Sequence, residues 1–141
     1  MASRMNEVRW LELPSVRDER GVLTVIEAGR DVPFPILRVF LVHHTTTDRG
    51  GHAHKDTDQV VTAAAGELTL EVTDGHSSQS FKLDDPTRGV YVPRMLFVRL
   101  QSFSADAVCL VFASTHYNMK QSYRSWEAYL EAIAGGSYDG A

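Results

Sequence analysis

Apolar and polar residues alternate with period two through much of this chain, a pattern that suits sheet and not helix. Leu68, Leu70 and Val72 alternate with Thr69, Glu71 and Thr73, so one face of an extended segment is apolar and the other polar. Asp74-Gly75 follows, a strong hairpin signal, and residues 79–83 read as the returning strand, with Phe81 and Leu83 on one face. Val108, Leu110 and Phe112 alternate again. Residues 22–26, 36–42, 60–64, 91–92 and 96–100 are further expected strands. Short strands broken by Gly, Pro and Asp predict an all-β sandwich or barrel. The 141 residues suffice for one domain with a real core, so residues 1–141 are read as a single domain. Near the end, Tyr123, Trp126, Leu130 and Ile133 fall three and four apart, a helical stripe. Gly135-Gly136 stops it. That helix is expected to cover a barrel opening or edge.

Composition removes several function classes. Net charge is −4, which opposes a nucleic-acid role built on phosphate neutralisation. No run approaches the roughly 20 apolar residues of a membrane helix, and the first residues lack the apolar core of a signal peptide. A soluble cytoplasmic protein is expected. The one cysteine, Cys109, has no internal disulfide partner; it lies in the apolar run 107–113 and reads as a small core residue. Thiolate zinc sites are excluded by count.

The feature that carries chemistry is His52-Ala53-His54. Two residues apart on a strand, both imidazoles point to one face. Gly50 and Gly51 precede them, and Arg49, Lys55, Asp56, Asp58 and Gln59 surround them. Imidazoles sharing the interior of a barrel can bind a metal or move protons near neutral pH.

These residues resemble the first signature of the cupin superfamily, which runs from glycine through His-x-His to an acidic residue and a later glycine; here Gly50 or Gly51, His52, His54, Asp58 and Gly66 stand in those places. In the second signature Pro93 is followed by Val98 where a third histidine would fall. Valine cannot ligate a metal. His52, His54 and Asp58 remain as a facial-triad alternative, with Asp58 in place of the customary, longer glutamate.

A closer resemblance spans about residues 8 to 133. The Arg49-Gly50-Gly51-His52-Ala53-His54-Lys55 block and the Phe103-Ser104-Ala105-Asp106-Ala107-Val108 block with Ala113-Ser114 are its most specific parts. Asp18-Glu19-Arg20-Gly21, the stretch from Pro33 to Phe40, Gln59-Val60 and Gly89-Val90-Tyr91-Val92-Pro93 support it. Read in order, they resemble the dTDP-sugar 3,4-ketoisomerases, the WxcM-like or FdtA-like cupins. The resemblance implies an RmlC-like jelly-roll barrel with a C-terminal helix. It also implies a metal-free, cofactor-free isomerase that moves the keto group of a dTDP-4-keto-6-deoxyhexose from C4 to C3 for deoxyamino sugar biosynthesis. Members are homodimers, often with strands exchanged between subunits, and the family's catalytic histidines fall on His52 and His54.

The chemistry suits the residues. The C4 ketone acidifies the C3 proton, a neutral imidazole can remove it, and a second can help return a proton to C4. His54 is taken as the main base and His52 as acid or orienter. Arg20, Arg38 and Arg49 are candidate partners for the enediolate and the pyrophosphate. Lys55, Gln59 and Tyr91 are further substrate-binding candidates. The chain departs from its relatives at Phe40-Leu41, where many carry Tyr-Tyr, and at Phe97-Val98-Arg99, where many carry Trp-His-Glu. His43-His44 is read as strand-end polarity. Three alternatives share the barrel: a sugar-nucleotide epimerase, a metal-dependent dioxygenase and a non-catalytic sugar-nucleotide binding module.

Overall fold

A computed structural model of the chain describes residues 3–135. A short 3-10 turn at Met5–Glu7 leads into twelve strands: β1 Arg9–Glu12, β2 Ser15–Asp18, β3 Gly21–Thr24, β4 Arg38–His43, β5 Arg49–His54, β6 Gln59–Ala65, β7 Leu68–Thr73, β8 Ser78–Leu83, β9 Arg88–Val92, β10 Phe97–Gln101, β11 Val108–Ala113 and β12 Ser122–Tyr123. Helix α1 spans Trp126–Ala134. Two five-stranded sheets form the body, in the orders β1-β9-β6-β11-β4 and β12-β5-β10-β7-β8. Every pair is antiparallel. This is the all-β cupin-type jelly roll.

Side-chain parity decides what each strand gives to the interior. Leu68, Leu70 and Val72 from β7, Val98 and Leu100 from β10, Val61 and Ala63 from β6, Val90 and Val92 from β9, and Cys109 and Val111 from β11 form one buried core. The expected alternation at 108, 110 and 112 is present, but Phe112 and Leu110 face the other way. They pack with Val60, Tyr91, Val32 and Phe34 beneath the segment preceding β4. Both faces of β11 are therefore covered, and Cys109 is the core residue the apolar run suggests.

The hairpin at Asp74-Gly75 joins β7 to β8 through a longer turn than a two-residue one, because Thr73 pairs with Ser78. The Asp74 carboxylate accepts hydrogen bonds from the backbone N–H groups of His76 and Ser77, both at 2.8 Å, an Asx turn. Asp74 Oδ1 thus satisfies donors that a tight hairpin would have paired across the ladder.

The helix starts later than its stripe suggests. Ser125 caps it, accepting from the Ala128 N–H at 3.1 Å, as N-cap serines do. Tyr123 belongs instead to β12, paired with Ala53. Gly135 is the C-cap; Gly136 lies outside the described residues. The helix covers the outer face of the second sheet. Tyr129, fully buried, packs with Ala53, Met95 and Phe97 and donates its hydroxyl to the Met95 carbonyl at 2.8 Å.

Strands β2 and β3 stand apart from the body as a two-stranded arm. The arm exposes Val16, Val22 and Leu23, and the edge strand β4 exposes Val39 and Leu41 on its outer face. Among the described residues no helix is long and apolar enough to cross a membrane.

Candidate active site

The interior of the body opens into a cavity of about 650 Å³. Val61, Leu70, Val98, Leu100 and Val111 make its apolar part, and Arg38, Arg49, His52, His54, Gln59, Tyr117 and Arg124 supply its polar groups. Strand β5 aims the imidazoles. His52 and His54 share a face, and Ala53 between them points outward to the helix with no exposed surface.

Arg49 also reaches the cavity, although it lies three residues before His52 and a regular strand would turn it to the other side. A β-bulge resolves the parity. Val98 pairs with His52 and Arg99 with Gly50, so Gly51 is the additional residue. Gly50 and Gly51 both take positive φ, +85° and +72°, a conformation that L side chains rarely adopt. At Gly50 space is closed too, since a Cβ would lie 3.0 Å from the Val98 carbonyl. The two glycines therefore re-aim the strand.

The imidazole rings of His52 and His54 meet edge to face, centroids 4.8 Å apart at 88°. Burial holds the His52 pKa below its ordinary value, opposed by a backbone hydrogen bond at Gly50, with the charges of Arg124 and Arg49 adding to the lowering. A ring nitrogen engaged with a backbone carbonyl fixes the tautomer. His54 is pushed down to about 3, first by burial and then by His52, Arg38 and Arg124. Both rings are thus neutral at pH 7. Among the described residues His54 Nε2 is buried with no hydrogen-bond partner.

The other residues singled out from sequence divide by position. Arg38, Arg49 and Gln59 line the cavity with the histidines. Gln59 does so from β6, in the opposite sheet, and is itself buried. Arg20, Lys55 and Tyr91 are not among the cavity's lining residues. Arg20 sits on the arm, 86% exposed, against Asp18 at 2.6 Å. Lys55, one residue beyond His54, turns outward; its ammonium lies over the Tyr123 ring. Tyr91 has the parity opposite to Val90 and Val92 and packs on the outer cluster with Phe34.

Asp58, considered as a third metal ligand, holds Arg94 instead. It accepts from the Arg94 backbone N–H at 2.9 Å and from the guanidinium at 3.2 Å. Among the described residues no three His, Cys, Asp or Glu side chains gather as a metal site.

Sequence reasoning missed Tyr117, Asn118, Ser122 and Arg124, which line the cavity from the segment between β11 and α1. That segment has no periodicity to reveal it. Its one signal is Arg124 standing immediately before a helix N-cap serine.

A jelly roll with paired imidazoles and three arginines around one cavity has the layout of a cupin that takes a small anionic ligand. Residues 6–134 match the FdtA family, described as WxcM-like, C-terminal, and the chain belongs to that family. The chain is 32% identical over 130 residues to the TDP-4-oxo-6-deoxy-alpha-D-glucose-3,4-oxoisomerase of Aneurinibacillus thermoaerophilus, covering 91% of this chain and 94% of that one. The sugar 3,4-ketoisomerase QdtA of Thermoanaerobacterium thermosaccharolyticum, in complex with TDP, superimposes with a TM-score of 0.89 at 26% identity, over 94% of this chain and 98% of its own. A histidine-to-asparagine mutant of QdtA, holding TDP-4-keto-6-deoxyglucose, gives a TM-score of 0.87 at 26% identity over 91% and 94%.

Proposed function

We propose that this chain is a cytoplasmic, metal-independent 3,4-ketoisomerase acting on a dTDP-4-keto-6-deoxyhexose as a single domain. The observation that carries the reading is the unpartnered His54 Nε2, facing a cavity it shares with His52 at a ring separation of 4.8 Å. Relatives similar over nearly the whole chain bear the 3,4-isomerase activity in their names.

In this mechanism His54 takes the C3 proton. Its low basicity is no obstacle, because the enediolate formed beside it favours the imidazolium that proton transfer creates. His52, held in one tautomer, orients the sugar and assists the return of a proton to C4. Gln59 hydrogen-bonds a sugar hydroxyl from the facing sheet. The cavity arginines hold the negative charge.

The working unit is a homodimer with exchanged strands. Among the described residues the arm pairs only within itself and exposes Val16 and Leu23, 61% and 63% accessible, and β4 has one edge without a partner strand, with Val39 and Leu41 beside it. A second copy of the chain fits both surfaces. Light scattering of the purified protein is expected to give twice the mass of the chain; a monomer at micromolar concentration rules the dimer out.

The activity is tested in D2O with TDP-4-keto-6-deoxyglucose. Deuterium is expected at the former carbonyl carbon, with the product carbonyl at C3 by NMR, unaffected by EDTA. A carbonyl retained at C4 with inversion at a neighbouring carbon would make the protein an epimerase. Binding of dTDP without exchange would make it a binding module.

A further inference from the structure

Two buried side-chain polar atoms lack a hydrogen-bond partner among the described residues, Arg38 Nε and His54 Nε2. Both belong to residues lining the same cavity. Buried donors and acceptors in folded proteins are almost always paired, so two unpaired ones in one cavity mark where a ligand's own polar atoms belong. One of the two is the nitrogen that takes a proton. The other is an N–H donor on a positive charge.

Arg38 stacks on two rings and makes no direct ion pair among the described residues, the Asp56 charge acting on it only at a distance. Its guanidinium lies over the rings of Phe40 and Tyr117, 5.4 and 5.6 Å from their centroids, and none of the ion pairs among the described residues includes it. It lies deeper than the other two cavity arginines, since Arg49 and Arg124 are both exposed. Its charge acts on His54 and not on His52, that of Arg49 on His52 and not on His54, and that of Arg124 on both. Water screens the permanent charges of a pyrophosphate at the mouth, and exposed arginines suit them. Charge that appears only during reaction, in a dry interior, is stabilised best by a fixed and desolvated donor.

We infer that Arg38 is a catalytic residue whose Nε–H receives the C4 oxygen as it becomes an enediolate, leaving Arg49 and Arg124 to the diphosphate. The inference rests on the ketoisomerase reading and divides the arginines within it. The C3–H electron pair becomes the C3–C4 double bond, the proton goes to His54, and the carbonyl π pair moves onto the C4 oxygen beside Arg38. Protonation of carbon C4 and transfer of the C3 hydroxyl proton to the C4 oxygen then leave the ketone at C3 and a hydroxyl at C4, with no net change of atoms or electrons.

The test measures kcat with TDP-4-keto-6-deoxyglucose and, separately, the Kd for dTDP in the wild type and in Arg38→Met, Arg38→Lys and Arg124→Met. Arg38→Met is expected to lower kcat roughly 10²–10³-fold, as loss of an oxyanion donor does, with Kd for dTDP within about threefold of wild type. Arg38→Lys keeps the charge but not the planar donor, and its kcat is expected to fall at least about tenfold; it decides the matter should Arg38→Met fail to fold. Arg124→Met is expected to weaken dTDP binding about tenfold or more. Retained kcat in both Arg38 variants overturns the inference, as does tenfold weaker dTDP binding with kcat kept. A wild type that turns over no keto-sugar overturns the ketoisomerase reading, and this inference with it, in an arm independent of the variants.

Discussion

Val98 lies directly opposite His52 in the β5–β10 ladder. Its buried isopropyl group stands in the cavity wall beside the imidazole. The apolar neighbour keeps water away from His52, and burial is the leading cause of that ring's lowered pKa.

Val98→Ala should let water reach the ring. The His52 imidazole is then expected to titrate closer to 6.5 by NMR, and the acid limb of kcat/KM to move up with it. The truncation also removes core contacts, so stability should fall by about 1–3 kcal/mol. A His52 titration unchanged in a variant that shows that loss would mean Val98 does not set the ring's environment.

His54→Asn removes the unpartnered Nε2 while keeping a small polar side chain. Turnover is expected to drop roughly 10²–10⁴-fold, the range for losing a general base, with folding intact by circular dichroism. His52→Asn should also slow the reaction, but by less if it orients and does not abstract. The assignment of base and helper reverses if His52→Asn is the more damaging of the two by single-turnover deuterium exchange.

The bulge makes a graded prediction. At Gly51, φ is positive and nothing lies within 4 Å of an added Cβ, whereas at Gly50 the Cβ meets the Val98 carbonyl at 3.0 Å. Gly51→Ala is expected to cost about 1–2 kcal/mol, the strain of the left-handed conformation alone. Gly50→Ala carries that strain and a backbone collision, so its urea midpoint should be the lower of the two. An equal or inverted order would contradict the bulge geometry.

That bulge also shows how far the sequence was legible. Period-two patterning located eight of the strands, and parity placed His52 and His54 together. Parity alone could not bring Arg49 to the same side, because the extra residue is visible only once β5 is paired with β10. Tyr91 and Gln59 show the same limit. Each lies in a block matching the family, yet one residue of register separates a side chain inside the barrel from one on its outer cluster. Arg124 left no periodic mark in the sequence, and Tyr117, which matches the family beside His116, could not be assigned to the site, for another reason. They sit on an irregular segment whose path across the cavity is set by long-range contacts, such as the Lys55 N–H bonding the Gln121 carbonyl at 2.8 Å. The arm strand β2 was missed because its pattern is exposed on both faces, so no burial periodicity marks it.

The depressed basicity of His54 has a consequence for stability. In the unfolded chain this ring titrates at about 6.5, and in the folded protein it takes a proton only at about 3. Above 6.5 neither state binds the proton, and His54 makes no pH-dependent contribution. Between 6.5 and 3 the unfolded chain binds a proton that the folded protein refuses, so stability falls as pH falls. Below 3 the loss is complete. His52, lowered for the same leading reason, acts in the same direction. Urea unfolding at pH 7 and pH 4.5 should therefore show a larger acid loss in the wild type than in His54→Asn, by about 1–3 kcal/mol. Because the same ring stays neutral over that range, His54 itself should put no acid limb on kcat/KM between pH 8 and 5. Equal acid losses in wild type and variant would show that His54 is not held neutral by the fold, and would remove the physical basis for treating it as a free base at working pH.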